Sequence, residues 1–400
     1  MPPVPLLFVG DSVSAHSGLA RILRDLAVRI DLYMKNTFRV ATLGIGGAGS
    51  KKYPFFQYHI QANPNHQLPD LPQVVDDHFG DESGVIFFVG DASRYGWLCH
   101  PEVCTFDGLR NWLLTNRSRH KFWLYSPVDA DSREGSYPKS LLETLSHFDR
   151  VLNYTAWSAG VTGYPDHLPH GLDSAIFHPH SRSESRQMFT RMGGKGITDD
   201  TLMLGIVAAN QYRKDYGIGI ETARVLLDQG HDVHLWIHTD DLRKNWDIPT
   251  MLQSFGLSGR NSLTLVGMPD ETLSWMYSAC SVTLGIGSEG WGFPLAESLA
   301  CATPVCHGNY AGGTAIVPEH MRVDPVAFRY EGAHSWRRPV YDPKDWAAKV
   351  LEISGTEANL DSKLNWEALW PRWQSWLQAG VDEMLSNPAD QIAGTFGDVK

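Results

Sequence analysis

Two glutamates eight positions apart, Glu289 and Glu297, bracket the run Gly290-Trp291-Gly292-Phe293-Pro294-Leu295 in a chain of 400 residues. Pro294 suits the first turn of a helix, where its missing N–H leaves nothing unpaired. The apolar run 281–286 ahead of it reads as a strand and 288–293 as a glycine-loosened loop. Glu297 then falls in the first turn of the helix and Glu289 in the loop before it. A helix N-terminus carries unpaired N–H groups and partial positive charge, which suits a phosphate. A carboxylate accepts hydrogen bonds on both oxygens, so one glutamate can hold a ribose diol and the other a sugar diol. A second group, Asn210-Gln-Tyr-Arg213-Lys214, comes directly after the apolar run 203–207. Arginine offers a planar fork for phosphate oxygens and lysine a compact charge, and a strand's carboxyl end is where ligands bind in parallel sheets. Sugar, diphosphate, ribose and base in that order make a sugar nucleotide, the ligand these residues predict.

Two other constellations compete. Gly44-Ile-Gly-Gly-Ala-Gly49 has the spacing of a dinucleotide loop, with Asp70 about twenty residues on. The next residues, Ser-Lys-Lys-Tyr-Pro54, open no amphipathic helix to point at a pyrophosphate, so a flexible glycine loop is expected. Asp129 and Asp131, after the apolar run 122–125, have the oxygen chemistry that hard divalent cations take. Pro127 sets them in a loop at a strand end, and a polar role facing the ligand is expected there rather than a metal.

The elements that must position these residues alternate between two periods. Buried parallel strands are predicted at 6–9, 40–43, 85–89, 122–125, 203–207, 233–237, 263–266 and 282–286. Amphipathic stretches lie between many of them, such as Leu19, Ile22, Leu23, Leu26 and Ile30. Alternation over this length predicts an α/β protein of two Rossmann-like units with parallel sheets. The polar stretch 178–200 is the expected boundary, giving units at 1–180 and 181–370. A C-terminal helix at 371–400 is expected to return to the first unit and end in a frayed tail.

Charge is spread unevenly. Residues 1–180 carry 15 Lys+Arg against 18 Asp+Glu, and residues 181–400 carry 19 against 27, so no basic nucleic-acid footprint is present overall. The local group Arg110, Arg117, Arg119 and Lys121 reads as a solvated face. Five scattered cysteines without a Cys-x-x-Cys pair predict reduced thiols rather than disulfides or zinc. No run approaches the roughly 18 apolar residues of a membrane span. The first ten residues also lack a signal peptide's basic and long apolar regions. A cytoplasmic location is expected.

The segment Glu289–Val305 resembles the paired-glutamate region of retaining GT-B glycosyltransferases of family 4. The likeness extends to Asn210–Lys214, similar to a phosphate-binding Asn-x-x-Arg-Lys, and to His170–Pro179, similar to a segment before the interdomain linker. Ser14–Arg21 looks like the family's first glycine loop and helix, and Leu235–Asp240, with His238, like the strand before its base pocket. Ala302 stands where the family usually has glycine, and Trp291 where Phe or Tyr is commoner. The family's histidine in the N-terminal half has no clear counterpart, and Asp129 or His120 is left to substitute.

The resemblance implies a GT-B fold and transfer of a sugar from a nucleoside diphosphate to a hydroxyl acceptor, with retained anomeric configuration and no metal or other cofactor. Arg213, Lys214 and the N–H groups around Gly292 to Leu295 would stabilise the leaving diphosphate. Glu289 would hold sugar hydroxyls near the developing cation and Glu297 the ribose, with Gly18 approaching the diphosphate from the opposite side. Alternatives are a non-catalytic sugar-nucleotide-binding GT-B protein and, further off, an NAD-dependent oxidoreductase resting on Gly44–Gly49. No basic amphipathic helix marks a membrane surface. The expected acceptor is a glycan, a small glycoside, a protein or a hydroxylated DNA base.

Overall fold

A computed structural model describes residues 2–386 apart from 48, 51, 62–65, 195 and 196. The first six strands are β1 (Val4–Asp11), β2 (Phe38–Ile45), β3 (Phe56–Ile60), β4 (Val85–Val89), β5 (Lys121–Ser126) and β6 (Arg150–Asn153). They form one parallel sheet in the order β3-β2-β1-β4-β5-β6. The next six are β7 (Leu202–Val207), β8 (Val233–Thr239), β9 (Asn261–Leu265), β10 (Val282–Gly285), β11 (Val305–Gly308) and β12 (Arg322–Val323). They form a second parallel sheet in the order β12-β11-β10-β7-β8-β9. An antiparallel hairpin, β13 (Ala327–Glu331) and β14 (Trp336–Val340), stands apart from both.

The central strands are apolar throughout because helices cover both faces of each sheet. In β4 every residue from Val85 to Val89 is buried. Helices α1 (Gly18–Tyr33), α2 (Leu71–Phe79), α3 (Asp107–Asn116), α4 (Lys139–Ser146) and α5 (Ala156–Thr162) accompany the first sheet. Helices α6 (Arg182–Arg191), α7 (Tyr216–Asp228), α8 (Ile248–Ser254), α9 (Asp270–Ala279), α10 (Phe293–Ala300) and α11 (Pro343–Ile353) accompany the second. Strand order reverses between β1 and β4 in one sheet and between β7 and β10 in the other. Such switch points leave crevices at the strands' carboxyl ends, and the loops after β1, β4, β7 and β10 open there.

The polar stretch 178–200, expected as a boundary, contains α6, whose N-cap Ser181 accepts from the Glu184 amide. Helix α6 is anchored by buried Arg186, which donates to the carbonyls of Thr198, Asp199, Thr201 and Ala279. Its low apolar content hid an element held by polar contacts. Lys195 and Gly196 of that stretch lie outside the described residues. Strands β3, β6, β11 and β12 are absent from the sequence expectation: β6 and β11 have four residues each, and β12 two, too short for a period to register.

The chain crosses between the sheets twice, after 172 and again before 366, and the two crossings touch. The Leu172 amide donates to the Leu364 carbonyl at 3.0 Å, and the Trp366 amide donates to the Leu172 carbonyl at 3.3 Å. The last helix, α12 (Trp366–Ser386), then lies on the first sheet. Its Trp376 ring sits 5.3 Å from that of Trp123, and Trp373 5.0 Å from Tyr125. Arg150 donates to the Trp376 carbonyl at 2.7 Å. Helix α12 starts five residues before the expected 371, and residues 387–400 lie outside the described part.

Ala302, the departure from family glycine, has φ of +57°, the left-handed region where glycine is usual. It comes just after the C-cap of α10, and the helix end keeps this turn with alanine in it.

Candidate functional site

The carboxyl ends of the two sheets face one another, and charged side chains meet between them. Asp129, in the loop after β5, accepts an ion pair from Arg213 Nε at 3.0 Å. Arg213 also reaches Glu289 Oε2 at 3.5 Å and donates to the Ser288 carbonyl at 2.6 Å. Lys214 is paired directly with Glu289 Oε1. The sequence-predicted residues Asp129, Arg213, Lys214 and Glu289 are thus one network. Gly287 makes the close approach feasible: its φ is +76°, and a Cβ there would lie 2.3 Å from the Arg213 carbonyl oxygen.

The network sets its own charges. Burial alone would raise the Glu289 carboxyl, but Lys214 and then Arg213 outweigh it and hold it below its ordinary value. Asp129 is likewise held low against burial by Arg213, Arg338 and Lys214. Burial, together with repulsion from Arg213, lowers Lys214 to about 8 although Glu289 pulls the other way. The ammonium therefore exists below about pH 8 and is lost above it. If Lys214 holds a donor phosphate, kcat/KM for the donor falls as pH rises through about 8, because that parameter reports the free enzyme. A pH–rate profile checks this, and Lys214→Arg removes the limb, since a guanidinium stays charged.

The loop 288–292 is wedged between the two sheets' loops. A Cβ on Gly290 would lie 3.0 Å from Pro127 Cβ, beside Asp129. Gly292, with φ of +107°, turns the chain into α10, with Pro294 in its first turn, as the sequence predicts. Trp291 is buried, its ring 4.1 Å from His170 and 5.2 Å from Phe293. Leu295 is buried in the core. Gly18 opens α1 against this point, where a Cβ would meet Phe293 at 3.7 Å. The N-termini of α1 and α10 are therefore face to face.

Three expected ligand residues, and the histidine weighed as a substitute, are engaged by the protein itself. Glu297 lies past the first turn of α10, as its fifth residue rather than in the first turn the sequence predicts, and is 3% exposed: Oε1 takes Arg21 of α1 at 2.5 Å and Oε2 takes the Tyr277 hydroxyl at 2.8 Å. Asn210 is fully engaged in loop structure, donating to the carbonyls of Asp241 and Trp246 and accepting from the Trp246 amide. His238 is the penultimate residue of β8, with Nδ1 2.9 Å from Thr264 Oγ1, and burial lowers its pKa to about 4. His120 cannot serve as the missing histidine. It precedes β5, at the amino end of the sheet, stacked 5.9 Å from Trp112, and burial lowers it to about 4.

Asp131 and Asp129, weighed as metal ligands, are both held by arginines of the hairpin. Arg337 Nε donates to Asp131 Oδ1 at 2.9 Å, with the Tyr310 hydroxyl on the same oxygen at 2.6 Å, and Arg338 lies 3.5 Å from Asp129 Oδ1. Among the described residues, no group of three or more His, Cys, Asp or Glu side chains is arranged for a metal ion. The glycine run at 44–49 leads into the edge strand β3 rather than into a helix, and Asp70 stands just before α2 without a side-chain cap; Ala48 lies outside the described residues. The basic group is dispersed: Arg110 pairs with Asp107, and Arg117 with Asp149 at 3.1 Å.

The sequence reading missed several charged residues here. Asp11 ends β1 and holds Arg94 at 2.7 Å and the Ser17 hydroxyl at 2.6 Å. Asp91, just after β4, is raised by burial and by the nearby Asp129 charge, against Arg94 and Arg213. Both aspartates sit at the ends of predicted strands, which was the available signal. Arg337 and Arg338 had none, since their hairpin is short and its first strand is exposed. Beside Asp131 lies a cavity of about 560 Å³ lined by Ser132, Lys139, Tyr330, His334 and Ser335, among others.

Two facing parallel six-stranded sheets with the site between their carboxyl ends match known structures. Sucrose-phosphate synthase from Thermosynechococcus elongatus superposes with a TM-score of 0.62 at 16% identity, covering 95% of this chain and all of that one. The fold is GT-B. Anabaena HepE in complex with UDP-glucose gives a TM-score of 0.63 at 13% identity, covering 88% of this chain and 89% of that one. A D-inositol 3-phosphate glycosyltransferase of Paenarthrobacter aurescens (strain TC1) is 22% identical over 191 residues, 47% of this chain. The chain spans 42% of the length of that curated relative. No family model matches the chain. Among the described residues of this GT-B chain, no helix is long and apolar enough to cross a membrane.

Proposed function

We propose that this protein is a retaining glycosyltransferase that moves a sugar from a nucleoside-diphosphate sugar to a hydroxyl acceptor without a divalent metal. The observation that carries this reading is the Asp129–Arg213–Glu289–Lys214 network, set at the N-terminus of α10 between the carboxyl ends of both sheets. Breaking the anomeric C–O bond puts negative charge on the departing diphosphate and positive charge on the sugar. Arg213 and Lys214 stabilise the first by fixed electrostatics, the part a metal plays elsewhere. Glu289, kept ionised, faces the second and holds sugar hydroxyls. The acceptor oxygen bonds to the anomeric carbon from the face the diphosphate leaves, and its proton passes to a leaving phosphate oxygen. Support for metal independence is that Asp129 and Asp131 are both taken by arginines.

UDP-glucose and UDP, bound in similar structures, make a uridine nucleotide the first donor to try. A thermal-shift panel of UDP, GDP, ADP, CDP and NAD(H), each with and without Mg²⁺, tests the reading. One diphosphate is expected to stabilise the protein, independently of Mg²⁺, by about 2.7 kcal/mol at a hundred times its Kd. Stabilisation that requires Mg²⁺, or that comes from NAD(H) alone, refutes it.

A further inference from the structure

Glu297 is the carboxylate given to the donor's ribose above, and in this structure its place is already taken. Its side chain is 4% exposed and that of Arg21 14%, with Nη1 2.5 Å from Oε1. Arg21 comes from α1 on the first sheet, Glu297 from α10 on the second, so the pair spans the two. The guanidinium is clamped from both sides, 4.3 Å from the Phe293 ring and 5.3 Å from that of Phe177. A carboxylate has about four lone-pair sites, so the Tyr277 hydroxyl on Oε2 can stay when a diol arrives. The guanidinium cannot, because it fills the approach from α1 and leaves the carboxylate closed to solvent.

We propose that Arg21 is a resident competitor of the donor: it occupies Glu297 in the unliganded protein, and the ribose hydroxyls displace it. This inference rests on the glycosyltransferase reading above and on the ribose role that the sequence leads one to expect of Glu297. A displaced arginine needs somewhere to go, and one is provided on its own helix. Asp25, one turn on, has Oδ2 4.0 Å from Arg21 Nε and is 22% exposed. Residues four apart share a helix face, so a rotamer change carries the guanidinium from Glu297 to Asp25 without moving α1. Arg21 then sets donor affinity from a position that touches no part of the donor. Only the fraction of molecules with Glu297 vacated binds, so apparent affinity scales with that fraction.

Two substitutions with opposite expected signs test this. Arg21→Gln frees Glu297 and is expected to tighten binding of the nucleoside diphosphate by about tenfold, while lowering the thermal midpoint of the unliganded protein. Asp25→Asn removes the landing place and is expected to weaken binding several-fold. Calorimetric titration of the intact protein with UDP, GDP and ADP reads both, and Glu297→Gln in parallel reads the ribose contact itself. Unchanged or weaker binding by Arg21→Gln, with Glu297→Gln still impaired, overturns the competitor role and leaves the donor site standing. If neither the native protein nor Arg21→Gln binds any of the three, the donor reading falls and the competitor role with it. Binding that appears only in Arg21→Gln supports both.

Discussion

Lys214→Ala is expected to lower kcat/KM for the nucleotide-sugar donor by about 10²–10³-fold, the loss typical of deleting one fixed donor to developing transition-state charge. The side chain is 6% exposed and paired with Glu289, so its charge acts where water screens it little. Its removal has two consequences. The diphosphate loses a cation, and Glu289 is left with Arg213, at 3.5 Å, to hold its carboxyl in position. Steady-state kinetics with UDP-glucose separate them: a loss in KM alone marks uniform binding, and a loss shared with kcat marks the transition state. Lys214→Arg should recover part of the rate because the charge returns. A change below about threefold in Lys214→Ala, with the fold intact, would remove Lys214 from the mechanism.

Trp373→Ala is the stability counterpart, with an expected loss of about 3–5 kcal/mol. The ring is fully buried, stands edge-on to Tyr125 at 5.0 Å, and donates from Nε1 to the Pro169 carbonyl at 3.0 Å. Truncation therefore opens a cavity and leaves a buried carbonyl without its donor. Against a typical stability of about 5–15 kcal/mol, that is a large fraction, and urea unfolding measures it. A loss under about 1 kcal/mol would mean that α12 only rests on the first sheet.

The features legible in the sequence are those whose signals are local. Fully buried strands such as Val85–Val89 announce themselves by apolar runs, and Pro294 marks the start of α10 by its own covalent geometry. Glu289, Arg213 and Lys214 are recognisable because a strand's carboxyl end gives each of them a reason to be charged. Partnership is what a linear reading cannot supply. Arg21 and Glu297 are 276 positions apart, and nothing near either one says that they meet. Asn210 has the residue type of a ligand contact but spends its amide on the carbonyls of Asp241 and Trp246, a choice made by the loop it holds. In the hairpin carrying Arg337 and Arg338, β13 is exposed and the buried residues of β14, Arg338 and Pro339, are adjacent and not apolar at alternate positions, so no strand period shows.

The paired crossings at Leu172 and 364–366 make the second sheet and its helices an insertion within the first. A chain stopped before Trp366 is therefore not a shortened protein but an uncovered one, because the segment it lacks is the lid over Trp123 and Tyr125. The two crossings are tied side by side at one bridge, Leu172 opposite Asn365. A single cut in either crossing would leave the halves joined by the other and by the ion pairs that bridge the sheets, Asp129–Arg213 and Arg21–Glu297.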